Sequence, residues 1–250
     1  MKILLTNDDG YFSKGITELD AMLSELGDVT VVAPENNHSG ASSSLTLKNP
    51  LRIRKYKDNG FYVNGTPADC VFMAMTRILK SPPDILVSGI NHGANLGDDV
   101  LYSGTVGAAM GARFHSFPSL AVSITNLKPD HFSTAVEVMR DIIENRLDDL
   151  PNRSSILNIN VPDIPFEDLQ GYSLTRLGRR ELPEQNKNNT DAYGNEIHWV
   201  GPPPDPILGQ EGTDFDAISK NKVSIRHWTP ILLILNQWKN LKTGCKRCKN

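Results

Sequence analysis

Short continuous apolar runs alternate along the chain with segments whose apolar residues recur every three or four positions. The first run, Ile3, Leu4 and Leu5, reads as a strand buried on both faces. Ile16, Leu19, Leu23 and Leu26 follow at helical spacing, and Gly27 stops that helix before a second apolar strand over 29–33. Residues 34–44 form a polar loop, 51–54 and 61–63 read as exposed strands, and Thr66 followed by Pro67 marks a helix start with proline in its first turn. Val71, Met75 and Ile78 carry that helix to about Leu79. A third buried strand is expected over 84–88, a helix of small residues over 106–112, a fourth strand over 119–124, a helix over 135–143, and a strand over 156–161 that closes the core. Such alternation predicts an α/β fold, a mostly parallel sheet with helices on both faces and no internal repeat.

From Gly178 the texture changes to a polar, proline-rich stretch around a short strand-like segment over 197–200. A long excursion in a compact domain usually serves function or interaction, and this one predicts an extended arm or hairpin that packs on a partner subunit. The expected division is a catalytic core over 1–178, an arm and return strand over 179–225, and an atypical tail over 226–250. Composition sharpens the picture by exclusion. At 250 residues the chain can bury a large single core without disulfides, and its three cysteines form no disulfide framework. A net charge of −3, with both signs interspersed, argues against a nucleic-acid polymer or an anionic membrane as partner. Neither a signal peptide nor a run of about 20 apolar residues is present, so the expected location is cytoplasmic.

The chemistry gathers in loops that follow strands. Asp8 and Asp9 end the first apolar run, with Gly10 after them. Taken alone this is an ordinary turn. At the carboxyl end of a parallel strand, where open α/β sheets collect their ligands, two adjacent carboxylates instead suit a hard divalent cation, because they repel each other until one neutralises them. The loop after the second strand carries Asn37, His38, Ser39 and Gly40, and the one after the third carries Asn91, His92 and Asn95. Ser39 and Asn91 offer neutral oxygen ligands. Ser103, Gly104 and Thr105 introduce the small-residue helix, whose free N–H groups suit a phosphate. Tyr102 and Ser103 read as phosphate-shell residues rather than nucleophiles, since no Gly-x-Ser-x-Gly elbow surrounds any serine. A loop histidine is more often solvated than catalytic, which weighs against direct roles for His38 and His92. Cys70 reads as core packing.

These blocks, Asn7 to Gly10, Asn37 to Ala41, Gly65 to Cys70, Ser88 to Asn91, Asn95 to Asp99 and Tyr102 to Val106, resemble the signature blocks of the SurE family, in order and through Ile225. The resemblance implies a Rossmann-like three-layer core, a homodimer or homotetramer with an exchanged arm, and a nucleotidase that hydrolyses nucleoside monophosphates, in some members also 3′-nucleotides and short polyphosphate. It implies one Mg²⁺ or Mn²⁺ per subunit on Asp8, Asp9, Ser39 and Asn91. Asp8 and Asp9 are then the catalytic carboxylates, and Asn37, Ser39, Gly40, Asn95, Ser103, Gly104 and Thr105 the substrate and phosphate shell. Three other classes also place acidic residues at a strand end or bind nucleotides. A haloacid-dehalogenase-type phosphatase needs an Asp-x-Asp spacing and an aspartyl-phosphate, a receiver domain needs an aspartate where this chain has Ser88 to Asn91, and a binding module would hold nucleotide without turnover.

After Ile225 the chain departs from the family pattern. Codons compatible with the residues from Arg226 to Lys249, read with one base restored after the Ile225 codon, spell Thr-Pro-Leu-Asp-Thr-Asp and a continuation that has that pattern. The sequence reads as frameshifted there. On that reading the apolar run 231–235 is no selected strand, and Cys245 and Cys248 are no zinc or redox pair, for which a lone CxxC is weak in any case.

Overall fold

The computed structural model describes residues 1–113, 115–147, 155–183, 189–207 and 209–228. The chain runs through β1 (Lys2–Thr6), α1 (Lys14–Leu26), β2 (Asp28–Pro34), an edge hairpin of β3 (Ile53–Lys57) and β4 (Gly60–Val63), and α2 (Pro67–Met73), continued by a π-helical turn over Ala74–Ile78. Next come β5 (Ile85–His92), α3 (Gly104–Gly111), β6 (Ser119–Ile124), α4 (Phe132–Asn145), β7 (Ile156–Val161) and β8 (Tyr172–Leu174). The short hairpin of β9 (Asn189–Thr190) and β10 (Glu196–Ile197), then α5 (Asp214–Ser219) and β11 (Val223–Trp228), complete the described chain.

The nine strands of the main sheet lie in the order β3-β4-β2-β1-β5-β6-β7-β11-β8. The central five, β2 to β7, are mutually parallel. Alternation along each strand sorts side chains to two cores. Ile3, Leu5, Val31, Val87 and Val122 pack under α1 and α4, while Leu4, Val32, Leu86 and Ala121 pack under α2 and α3, giving a three-layer Rossmann-like arrangement. The chain moves across the sheet in the same direction from β5 to β6 and from β6 to β7, yet α3 and α4 cover opposite faces. The β6–α4–β7 crossover therefore has the opposite hand to β5–α3–β6, and periodicity carries no signal for that.

Two expectations about strand ends are corrected. The third strand does not stop at Ser88. It continues to His92, with a register shift against β6 between Ser88 and Asn91. Gly89 sits in that bulge at φ +140°, where a Cβ would lie 2.4 Å from Val122 O. A bulge re-aims the residues beyond it, and here it carries Asn91 to the sheet's rim. Nor does β7 close the sheet. β11 pairs antiparallel with it and β8 extends the edge beyond β11, a non-local pairing that short segments do not announce.

Of the expected strand over 197–200, only Ile197 is paired, in the β9–β10 hairpin. β11 runs past Ile225 to Trp228, so the first residues that leave the family pattern are paired with β7. Arg226 Nε and Trp228 Nε1 are buried there without a hydrogen-bond partner among the described residues. An unsatisfied buried donor costs on the order of 1–3 kcal/mol. Residues 229–250, including the 231–235 run and both tail cysteines, lie outside the described residues. Cys70, on the inner face of α2, is fully buried in the core. No helix of the described residues is long and apolar enough to cross a membrane.

Candidate active site

Ligands in open α/β sheets bind at the carboxyl ends of the strands, where connections leave in opposite directions. Here that point lies at β1, between β2 on one side and β5 on the other. The loops after these three strands meet there. His38 N–H donates to Asp8 O at 2.7 Å, and His92 N–H donates to the Asp9 carboxylate at 3.2 Å, so backbone bonds tie the second and third loops to the acidic pair.

Asp8 is 3% exposed, and both of its carboxylate oxygens are engaged by one residue. Thr105 Oγ1 donates to Asp8 Oδ1 at 2.6 Å and Thr105 N–H to Oδ2 at 3.1 Å, from the first turn of α3. Gly104 allows this approach, because a Cβ there would lie 2.8 Å from Asp8 Cβ and 2.9 Å from Oδ2. Ser103 caps the same helix by accepting from Val106 N–H at 3.1 Å. α2 lies beside α3 with its own entry fixed by a capping box between Thr66 and Asp69, whose second oxygen accepts from Thr46 N–H at 3.0 Å and fastens the long loop that follows β2.

Asp9 accepts from Asn37 Nδ2 at 3.1 Å as well as from His92 N–H. Asn37 Oδ1 in turn accepts from Ser39 N–H at 2.8 Å, so this asparagine joins Asp9 to the serine. Burial pushes the Asp8 carboxyl up to about 6, opposed by the Thr105 hydroxyl and reinforced by the neighbouring Asp9 charge. Burial likewise raises Asp9, against the pull of His92 and the Asn37 amide. Two buried carboxylates held in register and short of positive charge make a receptor for a cation.

The donor set fits a hard divalent ion. Among the described residues no three His, Cys, Asp or Glu side chains cluster in a way that could hold a metal, so the remaining ligands must be neutral oxygens. Asn91 meets that need, because its amide nitrogen donates to Gly93 O at 2.8 Å and leaves Oδ1 as its free acceptor. A set of carboxylate, amide and hydroxyl oxygens without sulfur or imidazole suits Mg²⁺ or Mn²⁺.

A cavity of about 390 Å³ opens on this rim, with Asp8, Ser39, Gly40, Asn91, Asn95 and Ser103 among its lining residues. Asp9, Asn37, Gly104 and Thr105 are not among them, and Asn37 and Thr105 spend hydrogen bonds on the two carboxylates as described. The Asn95 backbone is clasped by β7. Asn158 and Asn160 both donate to Asn95 O, at 2.9 and 3.0 Å, and Asn160 Oδ1 accepts from Asn95 N–H at 2.8 Å. Asn95 Nδ2 donates to Ser123 at 2.7 Å. The same loop is anchored by Asp214, fully buried, which accepts from Gly97 N–H at 2.7 Å and Gly178 N–H at 2.8 Å. Sequence reasoning passed over these supports. Two asparagines alternating inside the apolar run of β7 were a readable signal, since a buried polar face needs a partner. Nothing near Asp214 distinguishes it from an ordinary helix-start aspartate. Arg180, Leu127 and Pro203, which also line the cavity, come from segments that carry no motif.

The family model for survival protein SurE matches residues 3–184. The chain is 46% identical over 238 residues to the 5′-nucleotidase SurE of Nitrosomonas eutropha, covering 95% of each chain. It is 48% identical over 241 residues to the 5′-nucleotidase SurE of Methylococcus capsulatus, covering 96% of this chain and 95% of that one. The crystal structure of the SurE protein from Aquifex aeolicus superposes with a TM-score of 0.83 at 37% identity, across 97% of this chain and 100% of that chain.

Proposed function

The chain belongs to the SurE family, and from that premise we propose that it is a divalent-metal-dependent nucleotidase releasing phosphate from nucleoside 5′-monophosphates, with 3′-monophosphates and short polyphosphate as further substrates. The observation that carries this reading is the pair of buried, hydrogen-bonded carboxylates Asp8 and Asp9 on the rim of a cavity of nucleotide size. One Mg²⁺ or Mn²⁺ per subunit would be held by Asp8, Asp9, Asn91 and Ser39, and it would supply charge neutralisation at the phosphoryl group and acidification of bound water.

The protein's own groups do the rest. Thr105 fixes the Asp8 carboxylate, and Asn37 with the His92 N–H fixes that of Asp9, so neither reorganises when charge develops. Gly40, at φ +80° with open space around its Cα, and the turn of Ser103 and Gly104 at the start of α3 receive the phosphate oxygens, together with Asn95. The acidic pair accepts the proton of the attacking water, and in-line displacement frees the nucleoside. Exposed Leu182, Tyr193, Trp199 and Val200 along the proline-rich stretch support its role as an arm packed on a second copy, in a homodimer or homotetramer, and the proposed location is cytoplasmic.

Phosphate release from a panel of 5′- and 3′-mononucleotides and tripolyphosphate, with Mg²⁺, Mn²⁺ or EDTA, tests the proposal. Metal-dependent release from mononucleotides is expected. Undiminished release after exhaustive chelation would refute it.

A further inference from the structure

The cavity is graded from floor to mouth. Asp8, Asn91, Asn95 and Ser103 on the floor are buried, whereas Tyr102 is 68% and Leu127 is 78% exposed. Phosphate alone does not fill about 390 Å³, a volume within the range of sites for small organic ligands. We infer that the mouth is a nucleoside subsite in which the ring of Tyr102 stacks on the nucleobase, with Leu127 and Pro203 as its apolar walls. The inference rests on the nucleotidase reading and names the residue that gives it selectivity for nucleotides over other phosphate monoesters.

Three observations support this assignment. The Tyr102 backbone is pinned on both sides, its N–H donating to Asp99 O at 2.9 Å and its carbonyl accepting from Ser42 N–H at 3.0 Å, so the ring projects from a fixed point at low entropic cost. Ser103, the next residue, caps α3 and faces the phosphate end, which makes base and phosphate contacts contiguous in the chain. Finally, among the described residues the mouth has no unspent positive charge. Among the described residues Arg180 is the one Lys or Arg lining the cavity, and its Nη2 lies 2.6 Å from Asp99 Oδ2, with Nε donating to the same oxygen at 2.8 Å and the guanidinium 4.8 Å from the Phe215 ring. A wall without free charge among the described residues suits an uncharged nucleoside.

Aromatic stacking on a base is sequence-tolerant, because every base has a π-face, so Tyr102 confers preference for nucleotides without ranking purine over pyrimidine strongly. The test compares AMP with ribose 5-phosphate, which lacks the base, on the wild type, Tyr102→Ala and Tyr102→Phe, with folding checked by circular dichroism. The ratio of kcat/KM for AMP to that for ribose 5-phosphate should fall roughly 10- to 100-fold in Tyr102→Ala, chiefly through KM for AMP, and recover in Tyr102→Phe. An unchanged ratio in Tyr102→Ala overturns the assignment. A wild type that handles both substrates with equal kcat/KM overturns the subsite but leaves phosphatase activity standing, whereas a wild type that releases phosphate from neither removes the nucleotidase reading and the subsite with it.

Discussion

Thr105 separates two accounts of the helix start. As a phosphate ligand it would matter only when substrate is bound. As the group that holds Asp8, through a hydroxyl at 2.6 Å and an N–H at 3.1 Å, it matters in the empty protein as well. Thr105→Val keeps the shape of the side chain and removes the hydroxyl. Both residues are buried, so no water takes its place readily, and a hydrogen bond to a charged group contributes roughly 1.5–3 kcal/mol. The N–H donor remains, which sets the expected loss at about 2 kcal/mol. For a chain of this size that corresponds to a fall of about 4–8 °C in Tm. The measurement belongs at pH 8, above the value of about 6 to which burial raises Asp8, so that the carboxylate is charged, and in EDTA without phosphate. A wild-type Tm under those conditions would refute the reasoning and return Thr105 to the phosphate shell.

Other parts of the architecture are equally exposed to test. Asp214→Ala strands the buried N–H groups of Gly97 and Gly178 and should cost roughly 2–5 kcal/mol in urea unfolding, with a fall in kcat/KM as the Asn95 loop loosens; a loss below about 1 kcal/mol would show that the clamp is redundant. Asp163 receives the N–H groups of Asp130 and His131. Burial works to raise its carboxyl, but these donors and the Asn126 amide outweigh it and hold the group below its ordinary value. A depressed carboxylate contributes stability above its unfolded pKa of about 3.9 and loses it as pH falls through the folded value. Asp163→Asn should therefore be less stable than wild type at pH 7, with the gap narrowing below about pH 4, and a pH-independent gap would contradict this.

How far residues alone reveal such a site depends on whether the signal is local. The apolar run that breaks into Asp8 and Asp9 marks a strand's carboxyl end directly, and leucine spacing marks α1, because both follow from burial periodicity. Asn91 could be picked out by type, but its place on the rim depends on the bulge at Gly89, which reads in sequence as the beginning of a loop. Asn37 and Thr105 illustrate a different limit. Amides and hydroxyls serve phosphate and carboxylate alike, and only their distances to Asp9 and Asp8 show where their hydrogen bonds go. The pairing of β11 with β7 and β8 joins segments more than forty residues apart, which no periodicity encodes.

We propose above all that Asp8 and Asp9 grip one divalent cation at the rim of β1. Calorimetric titration of Mn²⁺ into the metal-stripped protein, beside Asp9→Asn with its fold verified by circular dichroism, tests it directly. The wild type should bind one ion per chain and Asp9→Asn should bind it at least about tenfold more weakly, since losing one charged oxygen ligand exceeds 1.4 kcal/mol. Equal binding by the two proteins, or none by the wild type, would contradict the claim.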